Sequence, residues 1–597
     1  MFKHTLSFVA AATLVASLEA KELTLDPIVV SATKTEQSLK NTTSDIDIIT
    51  AQELEEKHIT SVIDALRTLG NIPIAQSGGM GQQSSFFQRG FSSENTVVMI
   101  DGIRYNDPTT TKGQAQLEHL MVNDIERLEV IHGAQSGLWG ANAVAGVINI
   151  ITKKATEKLQ AGGTLEYGSY ATTKIGAQVS QKVGALSYYF GANQLKTNGI
   201  SALTPRGENP KKYESDGYLN QTLNAKVGYD ITSADALRTQ MTFIDAKVNY
   251  DAYGQPNSIA NEIHQINRLN NIGYRHTFNT TDFIDATYAL STFDKKDPLG
   301  YTKAFIGTNK ELNLLGTFHY APNSFIVVGG NTLNSKDTIS AKELNSKGIF
   351  FTNTNHLNNL ILTESIRRDM YESFKDKTTG KIGAKYFFAD DITLSTNYGT
   401  AYRTPSLYEL YASYYGNPNL QPETTKSFDA TAQYKHLSFT YYNNHIDNLI
   451  GYDPFTYVNE QVSGTSHLKG YEVRYNQNIG DQLNVNLAYN KLIAKDKNGQ
   501  YLARRPHDTT TASVSYYPND KLSVISTASY IGTRYDNTAQ TIQTGRYTLL
   551  GAIINYDITK SVTLYLRGDN LTNRLYQEVD GYGTPGRSVF AGLNARF

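Results

Sequence analysis

Apolar or small side chains occupy every second position of residues 589–597: Val589, Ala591, Leu593, Ala595 and Phe597. Successive side chains of a strand point to opposite faces, so this alternation predicts a strand with one apolar face and an aromatic terminus. The same period recurs at Ala225, Val227, Tyr229 and Ile231, and again at Val562, Leu564 and Leu566. Weakly alternating segments of about 10 residues are the units of transmembrane β-barrels. Residues 156–597 carry this texture. At about 10 residues per tilted strand plus turns and longer loops, they accommodate roughly 22 antiparallel strands, a size at which barrels have a plugged lumen.

The period changes towards the amino terminus. Residues 41–155 read as a mixed α/β domain that precedes the barrel. Thr50 and Glu53 form a capping box, in which each side chain satisfies the other's backbone N–H, and so predict a helix start. Val62, Ile63, Leu66 and Leu69 recur at helical spacing, and Gly70-Asn71 ends that helix. Val97 to Ile100 and Ile103 flank Asp101-Gly102, a pair that accepts the positive φ of a type I′ turn and predicts a hairpin. Before this domain, residues 21–40 form an arm. It holds a short β-branched segment, Asp26, Pro27, Ile28, Val29, Val30, Ser31 and Ala32, suited to adding as a strand to another protein's sheet edge. Residues 1–20 read as a secretory signal peptide: Lys3 and His4, an apolar run from Leu6 to Leu18, and a small-residue cleavage site after Ala20.

Composition narrows the class. Mean hydropathy is -0.40 and 19% of residues are charged. Past the leader no stretch approaches the roughly 18 to 20 apolar residues of a spanning helix, which excludes a helical membrane protein. The chain of 597 residues has 40 Tyr and 46 Gly against 6 Met and one Trp. Tyrosine suits barrel rims, with its ring in lipid and its hydroxyl in water. A net charge of -1 gives no reason to expect nucleic acid. The absence of cysteine excludes disulfides, thiolate metal sites and cysteine nucleophiles. There is no Walker loop, G-x-S-x-G elbow or H-E-x-x-H pair, so an enzyme is not expected.

Several ordered blocks then resemble the TonB-dependent outer-membrane receptors. In the amino-terminal domain they are Gln88-Arg89-Gly90 and residues 98–104 (VMIDGIR), 125–133 (IERLEVIHG) and 140–152 (GANAVAGVINIIT). In the barrel they are residues 402–411 (YRTPSLYELY), 416–423 (GNPNLQPE) and 570–573 (NLTN). The resemblance spans the mature chain and implies a plug domain seated inside the barrel. It also implies that residues 26–32 are the TonB box, which pairs with the energy-coupling protein TonB of the inner-membrane complex. One departure is His132, where the family usually has Arg. The implied protein is a monomer in outer-membrane lipid that carries a small metal-containing substrate. Residues 21–25 leave no room for the extra periplasmic domain of the family's signalling members.

Two hairpin regions carry acidic residues, Glu214 and Asp216 in one, Asp251 and Glu262 in the other. Clustered carboxylates repel unless a cation joins them, and a calcium ion takes about 6 to 8 oxygen ligands. Solvated loop charges are the bland alternative. These segments resemble the calcium-binding outer loops of the cobalamin-transporting members of the family, which implies that Glu214, Asp216, Asp251 and Glu262 are calcium ligands. A further ligand of those members falls near Ser201, where there is no carboxylate. The same resemblance covers residues 78–85 and 581–587 and implies cobalamin or a related corrinoid as cargo. Such a cargo, polar at its rim and of little net charge, wants neutral hydrogen-bonding groups. Gln82, Gln83, Tyr105, Asn106, Thr110 and Gln114 supply them on segments that the resemblance puts at the outward apex of the plug. A catecholate-type ferric siderophore is the alternative cargo, with Tyr411, Tyr414 and Tyr415 available to it. Haem is disfavoured because no His lies between Arg403 and Leu420. A passive porin would need neither plug nor arm.

Overall fold

The computed structural model describes residues 27–597 except 258–259 and 453–456. The signal peptide and Asp26 therefore lie outside the described residues. Among the described residues, 22 antiparallel strands close into a barrel, from Gln160–Gly168 to Ser588–Arg596. The seam pairs the first strand with the last, Leu165 with Leu593 and Gly168 with Phe590, so no sheet edge is left open.

One side chain in two along each strand faces outward. Leu223, Ile272, Leu314, Ile349, Ile366 and Leu566 are exposed at such positions and form the lipid-facing band. Exposed tyrosines flank it, Tyr167 and Tyr530 near one rim, Tyr229, Tyr434 and Tyr556 near the other. The last strand follows the predicted parity, with Val589 and Phe597 exposed and Phe590 turned into the lumen. One rim has tight connections such as 184–185, and the other has loops as long as 404–422 and 570–587. Outer-membrane barrels keep short turns on the periplasmic side, which makes the long-loop rim the outer one.

Inside sits the plug. Its five-stranded sheet is ordered Ile46–Thr50, Ile125–His132, Gly146–Thr152, Thr96–Ile100, Ile103–Arg104. The helix Ala51–Glu56 opens on the expected capping box at Thr50 and Glu53. The helix Val62–Leu69 buries Val62, Ile63, Ala65 and Leu66 and ends at Gly70 in the left-handed conformation. Asp101 and Gly102 both have positive φ (46° and 83°), the signature of the predicted type I′ hairpin. Asp101 also accepts from the Thr152 N–H (3.0 Å), tying that turn to the central strand.

Candidate functional site at the outer face of the plug

The outward surface of the plug is made by two loops. In the first, residues 77–83, the chain passes so close to the barrel wall that a Cβ on Gly81 (φ +77°) would lie 2.2 Å from the Tyr218 ring. Gln83 is exposed there, while Gln82 is buried and donates to the Asn249 carbonyl (2.6 Å). The second loop follows the strand Ile103–Arg104. Thr110 and Gln114 are half-buried along it. Tyr105 and Asn106 belong instead to its foundation. Tyr105 is fully buried and its hydroxyl accepts from Asn267 (2.9 Å); Asn106 accepts from the Val98 N–H (2.9 Å) and donates to the Thr96 carbonyl (3.0 Å). Their hydrogen-bonding capacity is spent on holding the loop. Of the six residues read as cargo contacts, Gln83, Thr110 and Gln114 offer surface.

Outer barrel loops grip these loops. Ser406 donates to the Thr111 carbonyl (2.7 Å). It also caps the helix Leu407–Tyr411 in a capping box with Glu409. Arg403 is buried between two carboxylates, with Nη1 to Glu409 Oε2 2.8 Å and Nη2 to Glu423 Oε1 2.8 Å. That explains the block at 402–423 as the frame of this loop. On the other side, Glu578 of loop 570–587 accepts from the Gln76 N–H (2.9 Å) and from Arg67 Nη2 (3.0 Å). Nothing in the local sequence marks the Arg67–Glu578 pair, whose members are 511 positions apart.

Beside the first loop, Glu214, Asp216 and Asp251 converge, with one ligand oxygen from each within 4.8 Å of the others. Asp216 accepts from the Ala202 N–H (2.7 Å) and Asp251 from the Leu203 N–H (3.0 Å). Both oxygens of Glu214 are buried and have no hydrogen-bond partner. Two orphaned carboxylate oxygens against two further carboxylates fit a hard cation such as calcium. Glu262 stays outside the cluster. Its strand turns Asn261, Gln265 and Asn267 inward, so the even-numbered Glu262 faces out and is exposed. Ser201 is buried and donates to the Leu203 carbonyl (2.6 Å), shaping the loop whose N–H groups hold the two aspartates.

At the opposite face lies the arm. Ile28–Val29 pairs antiparallel with Gln37–Ser38, and Val29 and Ser31 are fully buried. The Glu129 carboxylate accepts from the Val30 N–H (3.0 Å), the Ser31 N–H (2.9 Å) and the Ser31 hydroxyl, and is itself held by Arg127 (2.8 Å). Trp139 donates to the Ser31 carbonyl (3.1 Å), and Lys34 Nζ stands 4.7 Å from the Trp139 ring centre. His132 lies nearby in the same sheet, 2.8 Å from Asp47.

The comparison with known families is decisive for the class. The family description "TonB dependent receptor-like, beta-barrel" matches residues 160–571, and "TonB-dependent Receptor Plug Domain" matches residues 38–147. The chain belongs to the TonB-dependent receptors. Receptors of this family reside in the bacterial outer membrane, take small-molecule substrates and work with TonB; they are not a family of enzymes. Among curated relatives, this receptor is 28% identical over 600 residues to the vitamin B12 transporter BtuB of Photobacterium profundum, covering 97% of this chain and 96% of that one. It is 26% identical to the vitamin B12 transporter BtuB of Vibrio vulnificus, with 97% of each chain covered. Solved structures that share its fold include a mutant ferric enterobactin receptor of Pseudomonas aeruginosa (TM-score 0.81, 16% identity, 96% of this chain and 100% of that one). The siderophore receptor PiuA of Acinetobacter baumannii is another (TM-score 0.77, 18% identity, 96% and 99%).

Proposed function

We propose that this receptor imports cobalamin or a closely related corrinoid across the outer membrane, driven by TonB acting on residues 26–32, with calcium ordering the outer loops. The observation that carries the cargo is the Glu214, Asp216 and Asp251 cluster beside the first plug loop, with two orphaned oxygens that call for a cation. Full-length likeness to vitamin B12 transporters supports the same cargo. So does the charge of the outer surface. Three cations near the plug apex are paired, Arg67 with Glu578, Lys112 with Glu94 and Arg403 with Glu409 and Glu423, which suits a cargo of little net charge.

Glu214, Asp216 and Asp251 would hold the cation, whose positive charge would offset their repulsion and join the two loop segments that carry them. The remaining work falls to the chain itself. Gln83, Thr110 and Gln114 offer neutral donors and acceptors to the cargo. Beneath, the arm waits on Glu129, and the strand Ile28–Val29 leaves its intrachain partner to pair with TonB. A ferric catecholate siderophore is the second reading, favoured by the aromatic group Tyr408, Tyr415 and Tyr452 at the outer rim, with ring centres 6.1 to 6.4 Å apart along the chain of contacts.

Calorimetric titration of the detergent-solubilised receptor with cyanocobalamin, with and without calcium, tests the reading, with ferric enterobactin as the competing ligand. Cobalamin binding that calcium strengthens is the expected result. Heat from ferric enterobactin and none from cyanocobalamin would move the cargo to siderophores.

A further inference from the structure

The plug fits the barrel unequally on its two sides. Against the strands Lys377–Ala389 and Ile392–Arg403 it is seated backbone to wall. A Cβ on Gly383 would lie 2.4 Å from Thr43 Oγ1, and one on Gly399 would lie 3.2 Å from the Ala134 Cβ. Lys381 Nζ donates to Ser44 (2.6 Å) and Asn397 to the Thr43 carbonyl (2.8 Å). The other side holds a cavity of about 680 Å³ between the helix Val62–Leu69 and the strands Asp508–Asn519, Leu522–Ile531 and Tyr547–Thr559. Its cause is the size of the inward side chains. Ser513, Thr527, Ser529 and Gly551 line the wall there, too short to reach the helix, and only Thr509 and Thr511 touch its carboxy-terminal end. Thr68 is solvent-exposed although it lies inside the barrel.

This cavity runs the depth of the plug. Gly78 to Gly81 of the first apex loop line one end, and Glu53 and Lys57 line the other. The helix that carries Glu53 sits at the periplasmic rim, where its last residue, Glu56, accepts from Tyr517 (3.2 Å) beside a short turn. Arg67 on the cavity-lining helix is held by Glu578 of the outer loop, and that carboxylate also holds the backbone of Gln76. The helix meets the wall lightly, through Thr509 to the Gly70 carbonyl and Thr511 to the Thr68 carbonyl (3.4 Å). Elements with few buried contacts open first.

We propose that cargo crosses the barrel along this cavity, between the helix Val62–Leu69 and the wall it faces, while the plug stays seated on the opposite wall at Thr43 and Ala134. Its volume matches a site for a drug-sized ligand, so a corrinoid passes only when the helix swings from the wall. Breaking the Arg67–Glu578 pair releases the helix and the apex loop together. The route rests on the transport reading above.

A chain without cysteine makes the test clean. Disulfides usually join Cβ atoms about 3.5 to 4.5 Å apart, a range that both pairs below reach by moving apart by a few tenths of an ångström. Ala134→Cys with Gly399→Cys ties the seated side, at 3.2 Å between Cβ positions; Gly70→Cys with Thr511→Cys ties the helix side, at 3.3 Å. Uptake of labelled cyanocobalamin and of ferric enterobactin is measured in cells that lack other receptors for either, before and after reduction. Because Gly70 has φ +75°, Ser513→Cys labelled with a bulky maleimide serves as a second block that leaves that turn intact. The expected result is uptake retained with the seated side tied, and lost with the helix side tied or Ser513→Cys labelled, with reduction restoring it for the helix tie. Uptake that survives both blocks on the helix side, or stops when the seated side is tied, overturns the route. An unmodified receptor that takes up neither probe overturns transport itself and the route with it. Uptake of ferric enterobactin alone changes the cargo and leaves the route to be judged by the same variants.

Discussion

Gly81 is where a single atom decides the shape of the cargo surface. Its φ of +77° and the Tyr218 ring 2.2 Å from an added Cβ leave no room for a side chain. Gly81→Ala is expected to push the first plug loop outward and to weaken cobalamin binding by about tenfold, read by calorimetry. Glu214→Gln removes one carboxylate from the cation cluster and relieves the repulsion it carries. The expected outcome is cobalamin affinity that no longer responds to calcium and stays near the calcium-free value of the unmodified receptor. At this scale the sequence was informative about chemistry and poor on direction. Three of the four acidic residues meet, and Glu262 does not, because which strand parity faces inward depends on barrel register. Tyr105 and Asn106 had the right chemistry for a polar cargo, yet the turn directs them into the plug core.

Among the elements, the arm is the one whose hold is easiest to describe. A single carboxylate, Glu129, accepts three hydrogen bonds from Val30 and Ser31 and is fully buried. Charge-assisted bonds of this kind are worth about 1.5–3 kcal/mol each to a buried group. Glu129→Gln keeps the shape and loses the charge, so the arm is expected to loosen while cobalamin binding is unchanged. Limited proteolysis checks this: cleavage within residues 27–36 should speed up several-fold over the unmodified receptor. Elements with local signals were legible. The capping box at Thr50, the Gly70 stop and the Asp101-Gly102 hairpin are all decided within a few residues. The arm's docking was not, since Glu129 lies about a hundred positions away and ordinary strand alternation gives no hint of its role.

For the whole molecule, pH adds a handle on the plug. Burial raises the Glu118 carboxyl to about 7 against the favourable Ser84 hydroxyl bond of 2.7 Å. The folded state therefore prefers the protonated acid. Its contribution to stability is full below about pH 4.5 and is lost as pH rises through 7, because the unfolded chain gives up that proton more readily. Glu118→Gln is expected to stabilise the plug by about 1–2 kcal/mol at pH 8 and to change little at pH 4.5, as read by denaturant titration at the two values. The barrel and its strand number were evident from alternation and length, because lipid on one side and a plug on the other impose the period of two along every strand. The cavity was not evident, because it arises from short side chains on strands that become neighbours of one helix only after the barrel closes.

The chain contains one tryptophan, Trp139, and it sits under the arm, donating to the Ser31 carbonyl and with its ring centre 4.7 Å from Lys34 Nζ. When the arm leaves, that indole loses a hydrogen bond and its Lys34 neighbour in one step and gains water. Its emission therefore reports, without any attached dye and above a background of 40 tyrosines that red-edge excitation leaves dark, whether the receptor has offered its arm.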